Sequence, residues 1–245
     1  MMKDSSQTLL IIPCCARKKP GGGSWSEQPK TKMFGDDIAN TINRARMQVL
    51  KKISSGGPRY QDDKYLKNLV IKPGPDFGGR DDSGLYMSAI DRYIGSLYTV
   101  YPVLFRLVRQ RLQDDKNPHI LILSALYGPL HPLDYIQDYN LEMGDIAASR
   151  TWSDIFPLFL QQYIKITRIN RIELYLGAKT PYYRVAKRAI SPLLQSGRIQ
   201  EAILHEVQNG SMSETPKNHG LLLARHLGAA STKTMTREII ERNIC

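Results

Sequence analysis

Short apolar runs that alternate with amphipathic stretches are the feature that most limits what this chain can fold into. Each run is bounded by turn or polar residues, which is the pattern of a buried strand. Strands interleaved with helices indicate an α/β protein. We therefore predict strands at residues 9–13, 120–123, 172–176 and 202–207.

The amphipathic segments carry signals for helix starts and ends. Paired aspartates open the first segment and paired lysines close it, which complements the helix dipole. The longest segment is interrupted at Pro102 and predicts two helices. Helices are expected at residues 36–53, 83–112, 153–166, 181–190, 215–227 and 234–242.

One compact α/β domain over residues 1–245, with a mixed sheet and many helices, is expected, because no repeat or low-complexity boundary divides the sequence. Two segments rich in glycine and proline, 20–32 and 53–82, are predicted to be flexible loops. Neither a membrane span nor a signal peptide is expected, and three cysteines without framework spacing favour the cytoplasm. No CxxC pair and no nucleotide-binding glycine fingerprint is present, so we predict neither a metal nor a cofactor.

The net charge of the chain points to an anionic partner. Lysine and arginine number 34 against 23 acidic residues, which gives a formal charge of +11. A cation of this size is attracted to polyanions, because neutralising phosphates releases condensed counterions. Nucleic acid or a phosphorylated ligand is therefore predicted, and the alternative is that the excess basic residues serve solubility.

The first predicted strand ends in two cysteines and a basic cluster. Arg17, Lys18 and Lys19 follow Cys14 and Cys15, at the strand end where ligands bind in α/β sheets. The cations suit a phosphate or carboxylate. Either cysteine is a candidate nucleophile if the cations lower its pKa; the alternative is two small buried cysteines and a solvated turn.

Residues 124–143, which read SALYGPLHPLDYIQDYNLEM, carry the densest set of candidate side chains. Asp134, Asp138 and Glu142 recur at a spacing of four and would share one face of a helix. Asp134 is then a helix cap, and either Glu142 or Asp138 holds a basic group or a sugar hydroxyl. His131 is either a ligand contact or a surface histidine.

Residues 124–143 resemble the signature of the peroxide-stress protein YaaA family, in which Leu-Tyr-Gly is followed by Pro-Leu-Asp and then by Tyr-x-Leu-Glu-Met. Residues 91–95, 178–183 and 217–221 are similar to further family segments in the same order. Two departures are a first strand that ends in Cys-Cys-Ala-Arg-Lys instead of Ser-Pro-Ala-Lys, and His131 in place of an arginine.

The resemblance implies a compact mixed α/β fold with a basic cleft and a helix-hairpin-helix-like element used for DNA. It implies a cytoplasmic DNA-binding protein that is associated with protection from hydrogen peroxide. The positions carried over by the motif match are Asp91, Tyr93, Gly95, Tyr127, Gly128, Pro132, Asp134, Tyr139 and Glu142.

The sequence is compatible with two main functions, beside a third alternative of a small-molecule biosynthetic enzyme that involves no nucleic acid. The first is binding of nucleic acid in protection from oxidative damage. Aromatic and cationic residues at helical spacing support it, although such a stretch is also typical of an amphipathic surface helix. The candidate nucleic-acid contacts are Tyr182, Tyr183, Arg184, Lys187, Arg188 and Lys217.

The alternative is an enzyme that cleaves or exchanges the C–N glycosidic bond of a nucleobase, nucleoside or nucleotide. This chemistry needs a carboxylate near the developing oxocarbenium ion and a cation or acid near the leaving base. The candidate catalytic residues are Asp134, Glu142, Tyr127 and Lys18. The candidate ligand contacts are Cys14, Cys15, Arg17, Lys19, Asp91, Arg92, Tyr93, Gly95, Ser124, Gly128, His131 and Tyr139.

Overall fold

The central strand of the fold is β1 (Thr8–Pro13), and its apolar residues 9–12 are completely buried. The computed structural model describes residues 7–25, 35–55, 58–100, 104–113, 119–211, 213–229 and 238–244. Successive side chains of a strand point to opposite faces of the sheet. Burial of four consecutive residues therefore requires cover on both faces.

Six strands form one mixed sheet in the order β4-β3-β1-β6-β7-β8. The four inner strands β3, β1, β6 and β7 are parallel, and the edge strands β4 and β8 are antiparallel. The strands are β3 (His119–Ser124), β4 (Gly128–Leu130), β6 (Arg171–Leu174), β7 (Glu201–Val207) and β8 (Ile239–Asn243). A separate antiparallel pair joins β2 (Met87–Ser88) to β5 (Tyr135–Ile136).

The chain moves from β1 to β3 on one side and later returns to β6 on the other side of β1. This reversal is a topological switch point, where a crevice opens beyond the carboxyl ends of the strands. The α/β class and the mixed sheet predicted from the sequence are confirmed.

Two groups of helices cover the sheet. In one group α5 packs against α1 and α6, and in the other α7 packs against α3 and α4. The helices are α1 (Asp36–Ser54), α2 (Ala89–Arg92), α3 (Ser96–Thr99), α4 (Leu104–Gln113), α5 (Ile146–Thr167), α6 (Pro181–Gln195) and α7 (Glu214–His226). No helix among these described residues combines the length and the apolar character that crossing a membrane requires.

The predicted final helix is wrong where the structure describes it. Residues 239–243 form β8 and pair with β7 in antiparallel register, with Ile240 opposite Glu206; residues 234–237 lie outside the described residues. A short segment with two adjacent isoleucines does not separate helix from strand by its period. The open edge of β7 offers unpaired backbone groups, and pairing with that edge decides the outcome.

The helix that would align Asp134 with Glu142 is also absent. Residues 131–145 form turns around the short strand β5. Local side-chain bonds replace helical ones: Asp134 Oδ2 accepts from His131 N at 3.0 Å, and Asp145 Oδ2 accepts from Glu142 N at 3.0 Å. Such aspartate-closed turns compete with helix formation, so the two candidate carboxylates share no helix face.

In the described part of segment 83–112, three helical segments are found instead of the predicted two, because residues 93–95 separate α2 from α3. Segment 53–82 contains 3₁₀ turns at Pro58–Gln61, Asp63–Val70 and Pro75–Phe77. Its flexibility remains a prediction, and residues 26–32 of the other predicted loop lie outside the described residues.

Candidate functional site

A cavity of about 520 Å³ opens beyond the carboxyl ends of β1, β6 and β7. Its lining includes Pro13 and Cys14 at the end of β1, residues 177–180 after β6, and residues 206–211 at the end of β7 and in the loop that follows it. The position coincides with the topological switch point, where α/β proteins bind ligands. A wider groove of about 820 Å³ along α1 is lined by none of the predicted site residues.

Next to this cavity lies a cluster of polar side chains that are buried except for the half-buried Tyr182. We call it the tyrosine cluster, and its members are Cys14, Tyr93, Ser124, Tyr139 and Tyr182. The Tyr139 hydroxyl is 2.9 Å from the Tyr93 hydroxyl and 2.7 Å from Ser124 Oγ. Cys14 Sγ is 3.0 Å from the Tyr182 hydroxyl. Burial raises the pKa of all three tyrosines well above the usual value, so the phenols stay protonated. Cys14 and Tyr182 belong both to the cluster and to the cavity wall.

Lys18 joins the strand-end loop to this cluster. Its side chain is only 7% exposed, and Nζ lies 3.9 Å from the centroid of the Tyr139 ring. Nζ donates to the backbone carbonyls of Cys15 at 2.9 Å and Ala16 at 3.4 Å. Burial lowers the pKa of Lys18. Lys18 therefore brings the strand-end loop into contact with Tyr139 of the signature segment.

Cys15 does not have the environment of a nucleophile. Its Sγ donates to the Arg17 carbonyl at 2.8 Å and accepts from Gly95 N at 3.2 Å. The pKa of Cys15 is raised to about 11, mainly because the thiol is buried. Gly95 permits this approach, because a Cβ there would lie 2.6 Å from the Cβ of Cys15. The thiol is protonated at neutral pH, opposite to the lowered pKa that nucleophilic catalysis requires.

Tyr127 belongs to a buried scaffold beside the tyrosine cluster. Its hydroxyl donates to Asp76 Oδ2 at 2.8 Å and accepts from Gln137 N at 3.1 Å. Arg46 of α1, 2% exposed, donates from Nε to the Tyr127 carbonyl at 2.9 Å and from Nη1 to the Asp76 carbonyl at 2.8 Å. Burial raises the pKa of Asp76 to about 6. The ring of Tyr127 packs edge-on against Tyr139 with centroids 5.5 Å apart, so the scaffold supports the cluster.

The other candidates of the signature segment lie away from the cavity. Asp134 is 2% exposed and closes a turn, whereas Glu142 is exposed. His131 is half-buried, and its Nδ1 accepts from Leu133 N at 3.1 Å. Gly128 has φ of 65°, and a Cβ there would lie 2.2 Å from the Trp152 ring. None of these residues lines the cavity, and their assignment to catalysis or ligand binding remains a prediction.

Asp91 and Arg92 hold other parts of the fold. Asp91 is ion-paired with Arg109 of α4 and accepts a hydrogen bond from Ser88. Arg92 is fully buried and donates to four backbone carbonyls, those of Lys19, Gly21, Leu85 and Ile136. A ligand-binding role for either residue remains a prediction.

The candidate nucleic-acid contacts lie largely on the surface. Arg184 and Lys187 on α6 and Lys217 on α7 are exposed. The candidate ligand contacts Arg17 and Lys19 after β1 are exposed as well. Arg188 is ion-paired with Asp154 at 3.3 Å. Tyr183 is half-buried.

Sequence reasoning did not identify the β6–α6 and β7–α7 loops as cavity walls. Lys179 is exposed in the cavity lining, Thr180 caps α6, and Glu206 and His219 line the opposite side. The available signal was the run Gly-Ala-Lys-Thr directly after a predicted parallel strand and before a proline at a helix start. Among the residues that the structure describes, no group of three or more His, Cys, Asp or Glu is arranged to hold a metal ion.

Comparison with known proteins identifies the family that this sequence resembles. A family model described as peroxide stress protein YaaA matches residues 9–187. A UPF0246 protein of Albidiferax ferrireducens is 33% identical over 96 residues, which cover 38% of this chain and 36% of that protein. A UPF0246 protein of Francisella tularensis subsp. novicida is 24% identical over 170 residues, 67% of this chain and 64% of that protein.

Each of these two matches spans less than two thirds of the relative's length. The family model covers more than half of the chain, and it includes the signature segment and the β1 end, the two segments that meet at Lys18 and Tyr139. The UPF0246 proteins belong to the same family as the one that the family model describes. The chain belongs to the peroxide stress protein YaaA family.

Proposed function

We propose that this chain binds nucleic acid along the carboxyl edge of its sheet and thereby protects it from oxidative damage. The observation that carries the proposal is the position of the exposed cations. Arg17 and Lys19 follow β1, Lys179 follows β6, and Lys217 lies in the first two turns of α7, which follows β7. Because the carboxyl ends of parallel strands lie at one edge of a sheet, we infer that these four side chains lie at the same edge as the cavity, whose lining includes Lys179.

Helix α6 extends this surface. It begins at Pro181 directly after the β6 loop, and Arg184 and Lys187 lie on its exposed side. Cations that contact phosphates position a duplex or a single strand without reading its sequence. We therefore expect binding with weak sequence preference and steep salt dependence.

A helix-hairpin-helix-like element is the finer part of this proposal. Helices α2 (Ala89–Arg92) and α3 (Ser96–Thr99) are joined by three residues that include Gly95. This layout of two short helices and a glycine-containing connection supports the assignment. The element lies at the end of β1, since Ile94 N donates to the Arg17 carbonyl at 3.1 Å.

The experiment is a titration of labelled duplex and single-stranded DNA at several salt concentrations, with two matched double variants. Arg184→Ala/Lys217→Ala removes two charges from the carboxyl edge. Lys165→Ala/Arg198→Ala removes the same two residue types from exposed positions that precede β6 and β7, at the opposite edge. We expect the first variant to weaken binding and to reduce the salt slope by about 2, one for each lost phosphate contact, and the second to match the unmodified protein.

Two results contradict the proposal. One is binding to neither DNA at low salt, and the other is an equal loss of affinity in both double variants. The protective role is measured separately as strand cleavage of DNA by iron and hydrogen peroxide, with and without the protein. If saturating protein leaves the amount of strand cleavage unchanged, the proposed protective role is contradicted.

The second candidate function is cleavage or exchange of a C–N glycosidic bond, and the cavity is the observation that favours it. Neither Asp134 nor Glu142 lines this cavity; the carboxylate in the described lining is Glu206, which is ion-paired with Arg242 at 2.5 Å. Release of free base from nucleosides or DNA, measured by chromatography and lost in Glu206→Gln, would establish this function. Activity that persists in Glu206→Gln would exclude Glu206 as its carboxylate.

A further inference from the structure

The cavity has the dimensions of a small-molecule site. Its volume of about 520 Å³ lies within the roughly 300–1,000 Å³ that such sites occupy. The loop after β7 folds tightly against it: a Cβ at Gly210 would lie 2.6 Å from Thr215 Oγ1 and 2.8 Å from Val207 Cγ1. A side chain at position 210 would therefore fit only if Val207 or Thr215 moved.

One part of the lining is apolar and aromatic. Leu97, Val207 and Pro216 contribute aliphatic surface, and Tyr182 contributes an aromatic side chain. The hydroxyl of Tyr182 is fixed by Cys14 Sγ at 3.0 Å. A flat apolar group can pack against a ring that is held in place in this way.

Another part of the lining offers hydrogen bonds. Gln208 and Asn209 contribute side-chain amides, and Ser211 and Thr215 contribute hydroxyls. An amide supplies both donors and an acceptor, and a hydroxyl supplies either. The edge of a heterocycle, which alternates donors and acceptors, matches this set.

The electrostatics of the cavity favour an anionic group. Lys179 is exposed in the lining, directly before Thr180 and the 15-residue helix α6, whose N-terminus carries the positive end of the helix dipole. The carboxylate of Glu206 in the same lining is compensated by Arg242 of β8. A phosphate near Lys179 would gain a charge-assisted bond.

We propose that this cavity binds one nucleoside monophosphate unit. Its phosphate lies towards Lys179 and the first turn of α6, and its base packs against Tyr182, Leu97 and Val207. The inference rests on the proposed nucleic-acid function and names the part of the ligand that enters the fold. The unit is either a free mononucleotide or an unpaired nucleotide within a strand, and the two sources share the same chemistry.

Calorimetric titration tests the free source. The probes are AMP and UMP at physiological salt, with adenosine and inorganic phosphate as partial ligands. We expect Lys179→Ala to weaken binding of the mononucleotide by about tenfold or more, the effect of one lost charge-assisted bond. The matched Lys165→Ala, an exposed lysine at the opposite edge, should change it less than about twofold. Binding of inorganic phosphate as tight as that of AMP would overturn the role of the apolar wall.

A second variant blocks the cavity. Gln208 is half-buried in a loop, so Gln208→Trp fills the space without replacing a core residue. A melting temperature close to that of the unmodified protein is the condition for its use. We expect this variant to abolish mononucleotide binding, and unchanged binding would overturn the site.

The strand source is tested with two labelled duplexes, one fully paired and one with a single unpaired nucleotide. Preference for the unpaired duplex that disappears in Lys179→Ala and Gln208→Trp supports this source even if AMP does not bind. Absence of both AMP binding and such a preference overturns the inference. If the inference is overturned in this way but the paired duplex still binds with salt dependence, the proposed function stands. If AMP binds but neither duplex does, the proposed function is contradicted and the cavity inference stands.

Discussion

Replacing the buried arginine of α1 is expected to destabilise the fold more than any exposed charge change. Arg46 donates to the carbonyls of Tyr127, Asp76 and Pro129, at 2.9, 2.8 and 3.3 Å. Arg46→Met keeps the length of the side chain but leaves three buried acceptors without this donor. Each unsatisfied group costs about 1–3 kcal/mol, and removal of the desolvation cost of the guanidinium offsets part of that loss.

We expect a net loss of about 3 kcal/mol in the free energy of unfolding, within the range for breaking buried charged contacts. For a chain of this size, that corresponds to a fall of about 6–12 °C in melting temperature. The positive charge of Arg46 also lowers the pKa of Asp76, which burial raises to about 6. In Arg46→Met that pKa rises further, so the native carboxyl binds a proton at higher pH and the variant regains stability as the pH falls from 7.5 towards 6.

The assay is urea denaturation followed by circular dichroism at pH 7.5 and pH 6. The matched control is Arg44→Met, an exposed arginine two positions earlier in the same helix, for which a change within about 0.5 kcal/mol is expected. If Arg46→Met and Arg44→Met unfold within about 1 kcal/mol of each other, the anchoring role of Arg46 is refuted.

Three further outcomes are expected. Burial lowers the pKa of His219 to about 4, so between pH 6.5 and 4 only the unfolded chain binds a proton at this residue. The free energy of unfolding of the unmodified protein should therefore fall by up to about 3 kcal/mol as the pH is lowered over this window. Urea titrations of His219→Gln should show a smaller fall, and an equal fall would contradict this linkage. Gly128→Ala places a methyl group 2.2 Å from the ring of Trp152, whereas at Gly197, which also has a positive φ, nothing lies within 4 Å of an added methyl group. We expect the free energy of unfolding to fall by about 3 kcal/mol in Gly128→Ala and by about 1 kcal/mol in Gly197→Ala. Equal melting temperatures of the two variants would contradict the clash. Glu142→Gln, at an exposed position, should alter the unfolding free energy by no more than about 0.5 kcal/mol, and a loss of several kcal/mol would restore a structural role for this carboxylate.

The inner strands β1 and β3 were predictable because burial on both faces leaves an uninterrupted apolar run. The predicted strands at residues 9–13 and 120–123 coincide closely with β1 and β3. The start of α6 was predictable for a local reason, since proline fits the first turn of a helix. The edge strand β8 was not, because its conformation depends on the free edge of β7, a partner distant in the sequence.

The candidate site likewise contains residues that could be predicted from the sequence and residues that could not. Cys14, Lys18, Ser124 and Tyr139 were identified from the ends of predicted strands and from the signature, and the structure brings them into one cluster or its immediate surroundings. The role of Arg46 could not be predicted, because its acceptors are carbonyls from 30 to 83 residues away and carbonyls leave no trace in a sequence.

Arg92 has a consequence for how this protein tolerates change over evolutionary time. Its guanidinium group is hydrogen-bonded to main-chain oxygen atoms of three separate segments, which are the loops at positions 19–21 and 85 and the short strand β5 at position 136. A main-chain oxygen is present whichever amino acid occupies the position, so substitutions in these loops preserve the bonds, whereas insertions or deletions displace the oxygens. Lineages that descend from this chain are therefore free to vary the chemistry of the loops around the central strand while the loop lengths stay fixed.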